Sequence, residues 1–172
     1  MKQLIIGIDM DGVVSYGAFL KKEYIKKHFD IDCKNPSKFE APITREQYKK
    51  MIADLYDTDE YLKAPMIPKA KYYIDKLKDQ GHRIVIVTRR TDNQMQFALK
   101  WLKNHNIYYD DIVNTSDQPK TEACKQVKPH IFIDDYESAK QELKGVVPHI
   151  IIFDSKHPCH WDIVYKKIME IK

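Results

Sequence analysis

An α/β fold built on a mostly parallel sheet is what this sequence predicts, and three observations predict it. Short β-branched runs of the kind buried on both faces recur at 4–8 (LIIGI), 83–88 (RIVIVT), 130–133 (HIFI) and 149–153 (HIIIF), with a shorter candidate at 112–114. From residue 68 onward these runs alternate with stretches of helical spacing, the pattern of parallel strands joined by helical crossovers. Residues 15–65 carry helical patterns and no convincing strand. The expectation is a Rossmann-like five-stranded sheet with helices on both faces. Residues 1–14 and 66–172 would form its core, and 15–65 a small helical cap.

The first strand, within residues 3–8, runs straight into Asp9, Met10, Asp11 and Gly12. Residues 18–29 have an untidy helical pattern, and 30–43, with two prolines and an asparagine, predict a loop. Thr44 followed by Gln47 predicts a capping box, and Tyr48, Met51, Ile52 and Leu55 share one face of the helix behind it. Pro68 starts another helix, faced by Ile74 and Leu77 and ended by Gly81. After RIVIVT, the spacing of Met95, Ala98, Leu99 and Leu102 predicts a helix. Trp161, Val164, Tyr165 and Ile168 line the last one.

A chain of 172 residues is one domain with room for a small insertion. The formal net charge of +4 suits an anionic ligand, but the lysines are spread along the chain. No basic run interleaved with aromatics predicts a nucleic-acid surface. Cys33, Cys124 and Cys159 show no paired spacing, which predicts neither a disulfide framework nor a cysteine zinc site. The expected setting is therefore reducing and cytoplasmic. The N-terminal apolar run is too short to span a membrane and ends in acids rather than a cleavage site.

In an open parallel sheet, ligands bind beyond the carboxyl ends of the strands. Three predicted strands end there in polar chemistry: Asp9 and Asp11, then Thr88, then Asp134 and Asp135. If the first and fourth strands are neighbours, four carboxylates converge and repel one another, and a hard cation such as Mg²⁺ relieves the repulsion. Phosphoryl transfer needs a nucleophile, charge neutralisation and a proton for the leaving group. One carboxylate could attack, and the acid two residues on could donate the proton and later activate water. Thr88 and a lysine could hold the phosphoryl oxygens, and Gly12 allows the turn that brings backbone amides to them. A single Asp-x-Asp is more often a turn, but two acidic strand ends in one alternating pattern outweigh that reading.

DMDGVV at 9–14, VT at 87–88, a lysine ahead of the fourth strand and IDD at 133–135 resemble, in this order, the motifs of the haloacid dehalogenase-like hydrolases. The resemblance implies Asp9 as nucleophile, Asp11 as general acid/base and Thr88 as phosphate binder. It implies Mg²⁺ held by Asp9, Asp134 and the backbone carbonyl of Asp11, with Asp135 nearby. Lys120, in DQPKTEACK, best matches the lysine motif, with Lys125 second. If 119–127 is a helix, Lys120 would lie near the strand ends. More narrowly, IDMDGVV, Tyr61-Leu62, IPKA at 67–70, IDD and Trp161 resemble the 5′(3′)-deoxyribonucleotidase group. That likeness implies aromatic cap residues against a nucleobase: Tyr61 and Tyr16, with Phe19 and Tyr56 as further candidates. Arg89 and Arg90 stand where the group has smaller, non-basic residues. Either could hold substrate phosphate, Arg89 first, or both could face solvent.

The expected activity is that of a Mg²⁺-dependent phosphomonoesterase using an aspartyl-phosphate, on a nucleoside monophosphate or another small phosphate ester. A phosphatase of nucleic-acid ends is the alternative within the same chemistry, although nucleic acid is not the favoured partner. A phospho-accepting signalling module is the rival from another class; there, however, the phosphorylated Asp ends a middle strand. HPCH at 157–160 matches no usual zinc spacing and reads as a loop before the last helix. Asp57, Asp59 and Glu60 read as a solvated acidic loop.

Overall fold

Residues 3–37, 40–157 and 159–171 are described by the structure, a computed structural model. Five strands form one sheet: β1 (Ile5–Ile8), β2 (Arg83–Thr88), β3 (Asp111–Asn114), β4 (Ile131–Asp134) and β5 (His149–Ile152). Their order is β3-β2-β1-β4-β5, and every neighbouring pair is parallel. The crossover helices are α3 (Ala70–Asp79), α4 (Asp92–Asn104), α5 (Thr121–Val127) and α6 (Ser138–Glu142), and α7 (His160–Glu170) closes the chain. The segment between β1 and α3 holds α1 (Gly17–Phe29), α2 (Arg45–Tyr56) and a 3-10 helix (Asp59–Lys63).

Alternation along the strands divides the core into two layers. Ile6, Ile8, Ile84, Ile86, Ile131 and Ile133 face α3, α4 and α7, including Trp101 and Trp161. Val85, Val87 and Phe132 face Ala123 and Cys124 of α5 and Leu143 beyond α6. Gly7 interrupts the apolar run of β1 because Phe132 lies across it: a Cβ there would fall 2.4 Å from the phenyl ring.

The inserted segment shares the first layer. Leu20, Ile25, Met51, Leu55, Tyr56 and Tyr61 belong to the same apolar cluster as the sheet's isoleucines. Its two ends run side by side. The Tyr16 amide donates to the Pro65 carbonyl (2.7 Å), and the Ile67 amide to that of Val14 (2.8 Å). Indole groups pin the same region, with Trp101 Nε1 donating to the Ala64 carbonyl at 2.9 Å and Trp161 Nε1 to that of Val13 at 3.0 Å.

Thr44 and Gln47 form the expected capping box: the Gln47 amide donates to Thr44 Oγ1 at 3.2 Å and the Thr44 amide to Gln47 Oε1 at 2.8 Å. Four details differ from expectation. α3 starts at Ala70, two residues after Pro68, because Lys69 takes a left-handed conformation (φ 64°) that only then turns the chain into the helix. On α4, Leu99 is exposed, while Phe97 and Trp101 join Ala98 and Leu102 in the core. The short α6 had no counterpart in the sequence pattern, and neither did a second capping box at Thr91 and Gln94. Of the loop expected over 30–43, residues 38 and 39 lie outside the described residues; the others are non-helical. Among the described residues, no helix is long and apolar enough to cross a membrane.

Candidate active site

Because β1 and β4 are hydrogen-bonded neighbours, the acids that follow them meet. Carboxylate oxygens of Asp9, Asp134 and Asp135 all lie within 4.8 Å of one another. The Asp9 amide continues the ladder to the Ile133 carbonyl at 2.8 Å, which fixes where that side chain starts. Lys120 stands at the N-terminus of α5, and its buried ammonium lies 2.8 Å from Asp9 Oδ1 and 2.7 Å from Asp134 Oδ2. Lys125 pairs instead with Glu122 on the surface. Thr88 ends β2 and is buried. Gly12 closes the turn after β1 with φ 81°, and a Cβ there would sit 2.0 Å from Asp135 Oδ2, so only glycine leaves that carboxylate its place.

Three carboxylates against one ammonium leave the cluster short of positive charge. Burial first, then the neighbouring Asp134, pushes the Asp9 carboxyl up to about 7, against the pull of Lys120. Burial, followed by Asp9 and Asp134, pushes Asp135 up to about 8. Burial works against the charge of Lys120, but Asp9 and Asp134 outweigh it and hold the ammonium above the usual lysine range. Asp135 Oδ1 is buried with no hydrogen-bond partner among the described residues. An orphaned oxygen among hard, anionic donors is what a small divalent cation requires, so the residues present fit Mg²⁺.

Asp11 has a different set of neighbours. Its Oδ2 accepts from Arg90 Nη2 at 2.6 Å, and its Oδ1 from the Tyr61 hydroxyl at 3.0 Å and Ser15 Oγ at 3.1 Å. A third of its side chain stays exposed (34 %).

A family model described as "5′ nucleotidase, deoxy (Pyrimidine), cytosolic type C protein" matches residues 3–167. The chain belongs to this family. It is accordingly a haloacid dehalogenase-like hydrolase of phosphoric monoesters. Its relatives include a candidate 5′(3′)-deoxyribonucleotidase of Chlorobaculum tepidum, 26 % identical over 200 residues, with 96 % of this chain and 90 % of that one covered. A candidate nucleotidase of Bacillus subtilis, YqfW, is 24 % identical over 161 residues, covering 90 % of this chain and 82 % of that one. Among solved structures, a predicted phosphatase of Clostridium acetobutylicum shares the fold with a TM-score of 0.64 and 17 % identity, covering 99 % of this chain and all of that one (100 %). A hydrolase of the same superfamily from Ehrlichia chaffeensis has a TM-score of 0.61 and 15 % identity, covering 99 % and 98 %.

Two residues of this nucleotidase-family chain stand apart from the roles expected of them. Arg89 does not enter the crevice: its partly exposed guanidinium pairs with Glu142, whose other oxygen accepts the Lys120 amide at 2.5 Å. The buried arginine is its neighbour, Arg90. Tyr61 is completely buried, packed on Tyr56 and Trp101, so it offers no face to a nucleobase. The resemblance that assigned it to the cap said nothing about which way the 3-10 helix packs. Tyr16 is half-buried against the core, whereas Phe19 is exposed. Tyr136, which sequence reasoning missed, follows the acidic pair, gives its amide to Asp134 Oδ1 at 2.9 Å and is 56 % exposed. Position after IDD was the only signal for it. In HPCH, His160 is buried against Phe153 and its Nδ1 accepts the Asp154 amide, while Pro158 lies outside the described residues. Asp59 pairs with Lys100 on the surface.

Proposed function

We propose that this chain is a Mg²⁺-dependent phosphomonoesterase that works through an aspartyl-phosphate on Asp9 and takes nucleoside monophosphates. The observation that supports the reading is the contrast between the surroundings of two acids. Asp9 is buried and held by Lys120, whereas Asp11, two residues on, is partly exposed and held by separate donors. On this reading the first attacks and the second exchanges protons.

Asp9 attacks phosphorus while the bond to the leaving oxygen breaks, and Asp11, which enters the cycle as the carboxylic acid, gives that oxygen its proton and becomes the carboxylate. Asp11 then takes a proton from water, the water attacks the acyl phosphate, and inorganic phosphate leaves with Asp9 restored. Lys120 and Thr88 hold the phosphoryl oxygens throughout. Asp9, Asp134 and the Asp11 carbonyl, with Asp135 beside them, would hold the cation, which when bound supplies charge neutralisation at the phosphoryl oxygens. Residues 15–65 act as a cap that borders the substrate.

A phosphatase screen over nucleoside monophosphates, sugar phosphates and 3′- or 5′-phosphorylated oligonucleotides tests the substrate. Highest kcat/KM on nucleoside monophosphates supports the reading, and preference for oligonucleotide ends would replace it. Activity should stop in EDTA and return with Mg²⁺; unchanged rates in chelator would remove the metal.

A further inference from the structure

Arg90 is 1 % exposed, yet its Nε and Nη1 are buried without a hydrogen-bond partner among the described residues. Leaving guanidinium N–H groups unpaired away from water is costly. It forms an ion pair with Asp11, 2.6 Å away. Two neighbouring tyrosines of the inserted segment lie against it: the guanidinium carbon is 4.1 Å from the ring centre of Tyr61 and 5.2 Å from that of Tyr56, and the two ring centres are themselves 5.1 Å apart. Packing against the tyrosine pair, together with the ion pair to Asp11, restricts a planar guanidinium in a way that a flexible lysine ammonium does not match.

The other donors to Asp11 belong to the same assembly. Tyr61, whose ring lies against Arg90, gives its hydroxyl to Asp11 Oδ1 and is linked to Ser15 Oγ at 2.7 Å. At the entry to the segment, a Cβ on Gly17 would fall 2.2 Å from the Tyr56 hydroxyl and 3.1 Å from Asp11 Oδ1. Tyr56 therefore reaches Asp11's surroundings only over a glycine.

From these contacts we infer that Arg90 is a positioning residue for Asp11. Packed against Tyr56 and Tyr61, it holds the Asp11 carboxyl group in the orientation in which it meets the leaving group. Alignment of the acid/base thus depends on the inserted segment being seated on the core. The inference rests on the acid/base role proposed for Asp11.

Leaving-group dependence separates positioning from mere structural support. 2,4-Dinitrophenolate departs without a proton, while phenolate needs one. First-turnover release from the two aryl phosphates with Mg²⁺ is the measurement. Arg90→Gln should slow phenyl phosphate about 100-fold and 2,4-dinitrophenyl phosphate by about threefold or less. Tyr61→Phe keeps the ring against the guanidinium and removes only the hydroxyl. It should slow phenyl phosphate by about tenfold with the same selectivity, and it carries the test if Arg90→Gln does not fold. In an Asp11→Asn background, Arg90→Gln should add about threefold or less, because it acts through Asp11. Equal losses on both substrates, or a full Arg90→Gln loss that persists without the Asp11 carboxylate, would overturn the inference. An Asp11→Asn variant that itself shows no leaving-group selectivity would remove the acid/base reading, and the inference falls with it.

Discussion

At the level of single residues, Asp9 and Tyr136 give the sharpest tests of the proposed chemistry and of the proposed substrate. Asp9→Asn keeps the side-chain shape and leaves Lys120 its contact with Asp134 (2.7 Å), so the variant should fold while phosphate release drops below detection. A thermal melt beside a phosphate assay checks both halves, and full activity would remove Asp9 as nucleophile. Tyr136 is the exposed aromatic next to the acidic pair, while Tyr61 is buried. Tyr136→Ala should raise KM for nucleoside monophosphates roughly tenfold, the scale of one lost base stack, and leave ribose 5-phosphate within about twofold. Equal effects on the two substrates would argue against a base contact. The acids and Lys120 were legible in the sequence because each ends a strand or starts a helix in an alternating pattern, and topology alone then brings them together. Arg90 and Tyr61 were not, because their roles depend on tertiary packing that local spacing does not encode. Adjacent arginines read alike until one is buried and the other meets Glu142.

At the scale of elements, the α2 capping box has consequences beyond its own helix, since α2 carries Tyr56 and leads into the 3-10 helix of Tyr61. Thr44→Ala should cost about 1 kcal/mol in urea unfolding. A loss well under half of that would mean the cap contributes little here. Thr44 and Gln47 were readable because capping is local chemistry between residues three apart. The face of α4 was harder. Met95, Ala98 and Leu102 fit helical spacing, but so do Phe97 and Trp101. Trp101 decides the rotation, because its bulk fills the gap against Tyr61 and its indole reaches the Ala64 carbonyl. α6 is five residues long with only Ala139 buried, too short for periodicity to register.

Across the whole molecule, one apolar cluster joins the sheet and the inserted segment, so the charge shortage among the buried acids bears on global stability. Folding raises Asp9 from an ordinary 3.8 to about 7 and Asp135 to about 8. Protons bound more tightly in the folded state stabilise it fully below about pH 4, and that contribution is lost as pH rises through about 7 to 8. Without metal, this pair of acids should therefore lower the melting temperature between about pH 5 and 8, and saturating Mg²⁺ should raise it more at pH 8 than at pH 5. Thermal melts in EDTA and in Mg²⁺ at both pH values check this; a Mg²⁺ shift independent of pH would contradict it. In the proposed reaction Asp9 carries the phosphoryl group. The most direct test of this is acid quenching of the Asp11→Asn variant during turnover of 2,4-dinitrophenyl phosphate, followed by peptide mass mapping. One phosphoryl group on Asp9 is the predicted result, and a phosphoryl group on any other residue, or none despite release of the dinitrophenolate, would contradict it.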